Sequence, residues 1–107
     1  MNADRRQKIE AMLAQDPQDQ FLRYTLAMEC GKVGDYERSE TLFRGLMQDA
    51  PPHVPSFLMA AQLLQEQGKI EPAREVLRAG IEVARQQGNT HAAAEMGELL
   101  AQLGAED

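Results

Sequence analysis

At 107 residues the chain is long enough for one domain with one modest core. Hydrophobic residues make up 43%, which excludes a disordered tail, while few aromatics and abundant Ala, Leu, Gln, Glu and Arg favour helix over strand. A formal net charge of −6 argues against nucleic acid or anionic lipid as the main ligand, because both need clustered Lys and Arg.

Cys30 is the only cysteine, so an internal disulfide or thiolate cage is excluded and a reducing compartment is expected. The opening MNADRRQKIEAMLAQD has no apolar stretch long enough for a signal peptide, and no run approaches the ~20 apolar residues of a membrane span. The expectation is a cytoplasmic protein.

The elements read as follows in chain order. Residues 3–16 make a first helix with Ile9, Met12 and Leu13 on one face, closed by Asp16-Pro17. Apolar spacing through Phe21, Leu22, Leu26 and Cys30 predicts a second helix that breaks at Gly34-Asp35. Leu42, Phe43, Leu46 and Met47 carry a third, stopped by Ala50-Pro51-Pro52. A fourth starts near Pro55, carries Phe57, Leu58, Leu63 and Leu64, and breaks at Gly68-Lys69. Val76, Leu77, Ile81 and Val83 carry a fifth that ends near Gly88-Asn89, and Thr90 to Leu103 make the sixth. Gly past a helix end accepts positive φ, and Pro55 and Pro72 fall in first turns, where a missing N–H costs little.

Sliding the sequence by 34 superposes the pattern on itself. Pro17 falls on Pro51, Gly34 on Gly68, Leu26-Ala27 on Ala60-Ala61, Cys30 on Leu64, Ser39 on Ala73, Phe43 on Leu77 and Met47 on Ile81. Glu37 and Arg44 fall on Glu71 and Arg78 unchanged. A fixed period of this length marks stacked helical repeats.

The spacing of these slots resembles the tetratricopeptide-repeat family, in the form of a small bacterial-type repeat domain. The first full unit offers Leu26-Ala27, Cys30, Ser39, Phe43 and Pro51; the second offers Phe57, Ala60-Ala61, Leu64, Ala73 and Leu77. The resemblance covers residues 4 to 104 and implies an all-α fold, a right-handed α-α superhelix of about six antiparallel helices. One domain over 1–107 would hold an N-terminal half-repeat at 3–16, full repeats at 20–53 and 54–87, and a capping helix at 88–107. Three departures stand out: Arg23 occupies a slot that is often aromatic, Leu46 one that is usually small, and the second unit has Arg85 where a closing Pro is expected. Without that Pro its second helix runs on to about Gln87, which accounts for two inserted residues before the last helix.

The resemblance further implies a concave face lined by the first helix of each unit. Carried onto this sequence, that face is Phe21, Tyr24, Met28 and Lys32, then Leu58, Gln62, Gln65 and Glu66, then His91, Ala94 and Glu98. Its centre is apolar and its C-terminal rim acidic, which suits an apolar or amphipathic peptide with a basic end. The family's clamp for acidic C-termini is not matched, since Lys32 stands among Gln62, Glu66 and Glu98. Two readings of Tyr24 and Met28 stay open: ligand contacts, or packing on the N-terminal helix or a neighbouring chain.

Catalytic and metal chemistry find little support. His91, Glu95 and Glu98 share a helix face but lack a second His or a thiolate. Cys30 lies at helical spacing from Leu26 and reads as a small core residue. Glu37 with Glu40 and Glu95 with Glu98 read as surface acids, either solvating charge or ion-pair partners for Arg38 and Arg44. No cofactor is expected. The sequence therefore points to a protein-binding adaptor that is not an enzyme; a self-associating homodimer using the groove or a repeat end is the alternative.

Overall fold

A computed structural model describes residues 2–104 of the protein. Residue 1 and residues 105–107, which the expected domain and capping segment include, lie outside the described residues. The described residues form six helices and no strand: α1 Asn2–Gln15, α2 Gln20–Lys32, α3 Tyr36–Met47, α4 Val54–Glu66, α5 Ile70–Gln86 and α6 Thr90–Gln102. The all-α repeat expectation is met. Contacts gather the chain into two compact units that divide between His53 and Val54. In the first, α2 contacts both α1 and α3; in the second, α5 contacts both α4 and α6. Within each unit, connections this short make sequential helices antiparallel neighbours.

Helix ends follow from side-chain chemistry. The carboxylate of Asp19 accepts from the Leu22 N–H at 2.8 Å, that of Asp35 from Arg38 N–H at 3.4 Å, and the Asn89 amide oxygen from Ala92 N–H at 3.0 Å. Each satisfies one of the donors that a helix start leaves without an intrahelical acceptor. Gly34 and Gly68 take φ of 84° and 76°, the left-handed turn that reverses the chain between the helices of a unit. With no proline to stop it, α5 runs for 17 residues against 12 in α3.

In the first unit α2 buries Leu26, Ala27, Glu29 and Cys30, and α3 buries Ser39, Phe43 and Leu46. The small residues do what their spacing suggests. Ala27 is fully buried, and the Ser39 hydroxyl donates to its carbonyl oxygen at 2.6 Å. The backbone of α2 and the Cβ of Ser39 therefore lie close together. Arg38 pairs with Glu10 of α1 at 2.8 Å, which corrects its expected pairing with Glu37 or Glu40. On a helix, neighbours one and two residues apart point away from each other, so neither acid could reach it. Arg44 does pair with Glu40, four residues back, at 3.2 Å.

In the second unit α4 buries Phe57, Ala60, Ala61, Leu63 and Leu64, α5 buries Ala73, Leu77, Gly80 and Ala84, and α6 buries Met96. Among the glycines described, Gly80 is the one closely approached by other side chains. A Cβ there would lie 2.6 Å from the Phe57 Cβ and 2.6 Å from the Met96 sulfur. Absence of a side chain at Gly80 thus lets α5 approach α4 and α6 together. Its counterpart 34 residues earlier is Leu46, fully buried in the first unit.

Candidate partner-binding face

Phe21, Tyr24, Met28 and Lys32 recur at intervals of three and four residues, so they form one stripe along α2. Phe21 leaves 71% of its surface in water, the most exposed large apolar side chain among the described residues. The Thr25 hydroxyl donates to its carbonyl at 2.8 Å and closes the turn behind it. Met28 is half-buried and Lys32 exposed, its ammonium 3.5 Å from the Glu29 carboxylate.

Tyr24 is engaged within its own unit. Its ring meets Phe43 edge-on, with centroids 6.1 Å apart, and lies 4.9 Å from the His53 ring. Burial raises its phenol pKa. The ring therefore braces α2 against α3 and the turn that follows, leaving one side half-exposed beside Met28.

In the second unit Leu58 and Gln62 are half-buried on α4, and Gln65 and Glu66 are exposed at its end. His91, Ala94 and Glu98 are exposed on α6. The spacing of Leu58, Gln62 and Gln65 again gives a single helix stripe, apolar at its start and amide-bearing at its end.

At the start of α2 lies a polar lock that residue types did not announce. The Arg23 guanidinium grips Asp49 through both carboxylate oxygens, at 2.5 and 3.2 Å, and donates to the Gln18 carbonyl at 2.8 Å. The Gln20 amide donates to the same carboxylate at 2.9 Å and to the Pro51 carbonyl at 3.3 Å. Hydrogen bonds from Arg23 and then Gln20 hold the Asp49 carboxyl below its ordinary pKa. The turn after α3 is thereby tied to the start of α2. Arg23 fills the often-aromatic slot because it has this acidic partner. The available signal was Asp49, 26 residues on and just past the end of α3. His53 closes the same turn: its N–H donates to the Leu46 carbonyl at 3.0 Å, and burial depresses its imidazole pKa.

The arrangement offers surface rather than reactivity. Cys30 is buried, and desolvation raises its thiol pKa against the opposing pull of Arg6 and Arg38. Among the described residues no three His, Cys, Asp or Glu side chains gather as a metal site, and no helix is long and apolar enough to cross a membrane.

The family model for the tetratricopeptide repeat matches residues 32–103, more than half of the chain. No protein of curated function matches in sequence. Among solved structures, the chain resembles a tetratricopeptide-repeat domain protein from Salinibacter ruber. Its solution structure is 28% identical with a TM-score of 0.77, over 86% of this chain and 93% of that one. The crystal structure of such a domain protein from the same organism is 27% identical with a TM-score of 0.72, over 83% and 100%. A protein from Bordetella parapertussis is 25% identical with a TM-score of 0.79, over 95% and 89%. A family model matched over about two repeat periods, on helices that turn where the period requires, places this chain in the tetratricopeptide-repeat family.

Proposed function

We propose that the protein is a peptide-binding adaptor whose contact surface is the stripe on α2 of the first unit together with the α4 and α6 residues of the second. The family generally mediates protein–protein interaction and is typically a non-catalytic scaffold. The single observation that carries the assignment here is Phe21. An aromatic side chain 71% exposed, in line with half-buried Tyr24 and Met28, leaves apolar area in water that a partner would cover. Leu58, Gln62, Gln65 and Glu66 of α4 and His91 of α6 add contacts from their own unit. Tyr24 supplies a rigid floor, since its ring is already held by Phe43 and His53.

The chemistry of the ligand follows from what lines the stripes. Phe21 and Met28 favour an apolar side chain, and thioether adapts to irregular shapes. Glu66 and Glu98, on a chain of net charge −6, favour a basic group at one end. An apolar peptide side chain suits the α2 stripe and a Lys or Arg side chain suits the α4 and α6 acids, each match made within its own unit.

A panel of fluorescein-labelled amphipathic peptides with basic or acidic ends tests the assignment by anisotropy. Basic-ended peptides are expected to bind more tightly. Phe21→Glu and Met28→Glu are each expected to weaken that binding by about tenfold or more, as expected for a contact near the centre of an interface. Binding that is indifferent to both substitutions, in proteins with unchanged melting temperature, would remove the α2 stripe from the interface.

A further inference from the structure

The two interfaces of α2 are built differently. Toward α3 it is apolar and closely fitted, with Leu26, Ala27, Phe43 and Leu46 buried around the Ser39–Ala27 hydrogen bond. Toward α1 it is thin. Ile9 is the sole buried residue among the described side chains of α1; Leu13 is partly buried, and Met12 is 49% exposed. Ion pairs accompany the thin apolar contact. Arg5 Nε lies 3.0 Å from Glu29, Arg6 lies 3.6 Å from Asp35 at the start of α3, and Glu10 accepts from Arg38 of α3 at 2.8 Å.

Glu29 is the decisive residue. Its side chain is 4% exposed, while both cations beside it, Arg5 and Lys32, are more than 60% exposed. A carboxylate buried at an interface recovers its hydration when the interface opens, so its presence lowers the cost of separation. The chain's own second copy has Leu63 at the same repeat position, 8% exposed. Beside Glu29 lie Leu26 and Cys30, which with Ile9 form one buried cluster edged by Leu13 and Leu42.

We propose that α1 is a salt-releasable strap: it lifts from α2 and α3 while that pair stays folded, transiently baring the Leu26–Cys30–Leu42 strip. The four residues Asp16 to Asp19 keep the lifted helix tethered. Exposed ion pairs weaken as salt screens them, whereas the small apolar contact at Ile9 does not. Global unfolding has the opposite salt dependence, because screening relieves the self-repulsion of a chain of net charge −6. Ionic strength therefore separates strap opening from unfolding by sign.

Cys30 reports the opening, since the thiol is buried and is the only one in the chain. The experiment is alkylation of the intact protein by neutral iodoacetamide, with each rate normalised to glutathione in the same buffer. Raising NaCl from about 20 mM to about 1 M is expected to accelerate alkylation about fivefold. Its urea dependence is expected to be much shallower than that of global unfolding, because one helix exposes little surface. Glu29→Leu is expected to slow alkylation about tenfold at low salt by replacing the buried charge with apolar contact. Glu10→Gln is expected to accelerate it about two- to threefold by breaking the Arg38 pair. Alkylation that slows with salt, or that shares the urea slope of global unfolding, overturns the proposal. So does a rate unchanged in both variants.

Discussion

Gly80 lies directly against Phe57, so close that a Cβ on the glycine would sit 2.6 Å from the phenylalanine Cβ. That contact sets the sign of a simple substitution. In an open helix interior, Gly→Ala stabilises by up to ~1 kcal/mol. At Gly80 the added methyl meets Phe57 near its backbone, where rotamer change gives no relief, and Met96 on the other side. Gly80→Ala is expected to destabilise by about 1–3 kcal/mol. Gly45 and Gly97 lie inside α3 and α6 with nothing within 4 Å of an added Cβ. Gly45→Ala and Gly97→Ala are expected to raise the melting temperature, so three thermal melts of one substitution type give opposite signs.

Close approach in each unit also rests on small residues at fixed register. Ala61 is fully buried, as are Ser39 and Ala73, which share one repeat position. Ala61→Leu and Ser39→Leu are each expected to destabilise by about 1–3 kcal/mol through overpacking. Ser39→Ala removes only the hydrogen bond to the Ala27 carbonyl and is expected to cost about 0.5–1.5 kcal/mol. Urea titrations of the three variants check the order. A Leu variant as stable as the parent would mean that the helices can separate there without loss.

How much of this was legible depends on whether a residue's role is set by its own repeat position or by a distant partner. Ala27, Ala61, Ala73 and Leu77 follow from the 34-residue register, because small and apolar slots recur with it, and all four are fully buried. Arg23 looked like a departure, because its role depends on Asp49, 26 residues away across a turn. Arg38 resolved the same way, toward Glu10, 28 residues back. Glu29 reads as surface charge by type, yet it lies between Leu26 and Cys30 on the inward face, and α1 covers it. Tyr24 is open, by sequence, between ligand contact and packing on the N-terminal helix or a neighbouring chain; the rings it meets in the structure are instead Phe43 of α3 and His53 of the turn after it. Gly80 stands in the slot that the resemblance makes usually small and that Leu46 fills with a large side chain; the positions of Phe57 and Met96 give the reason glycine stands there.

The Arg23–Asp49 lock predicts an asymmetry between its two partners. Arg23 is largely buried, with 14% of its side chain exposed, and donates to Gln18 as well as Asp49. Asp49→Asn keeps an acceptor for one guanidinium nitrogen and for Gln20, but leaves a buried cation without its counter-charge. Arg23→Met keeps much of the aliphatic volume and leaves Asp49, at 21% exposure, able to reach water. Asp49→Asn is therefore expected to be the more destabilising of the two, since an uncompensated buried charge costs more than a hydrated one. Equal losses in urea unfolding would show that the pair behaves as an ordinary surface contact.

Acidification should weaken the first unit in two stages. Burial against Tyr24 depresses the His53 pKa, opposed by Asp49 and assisted by Arg23. The folded state therefore holds a neutral imidazole where the unfolded chain takes up a proton near the ordinary value of 6.5. Stability from this residue is present above that pH and declines as pH falls from it toward the lower folded value. Asp49 follows the carboxylate case. Its pKa is depressed below 3.8 by Arg23 and Gln20, so its contribution is complete at neutral pH and disappears as pH falls from that value through the folded one. Melting temperature measured from about pH 8 to pH 3 should fall first below about 6.5 and again below about 4. His53→Phe keeps a ring against Tyr24 without a titrating group, and is expected to flatten the first decline while leaving the second. A first decline of unchanged depth in His53→Phe would assign it to another group.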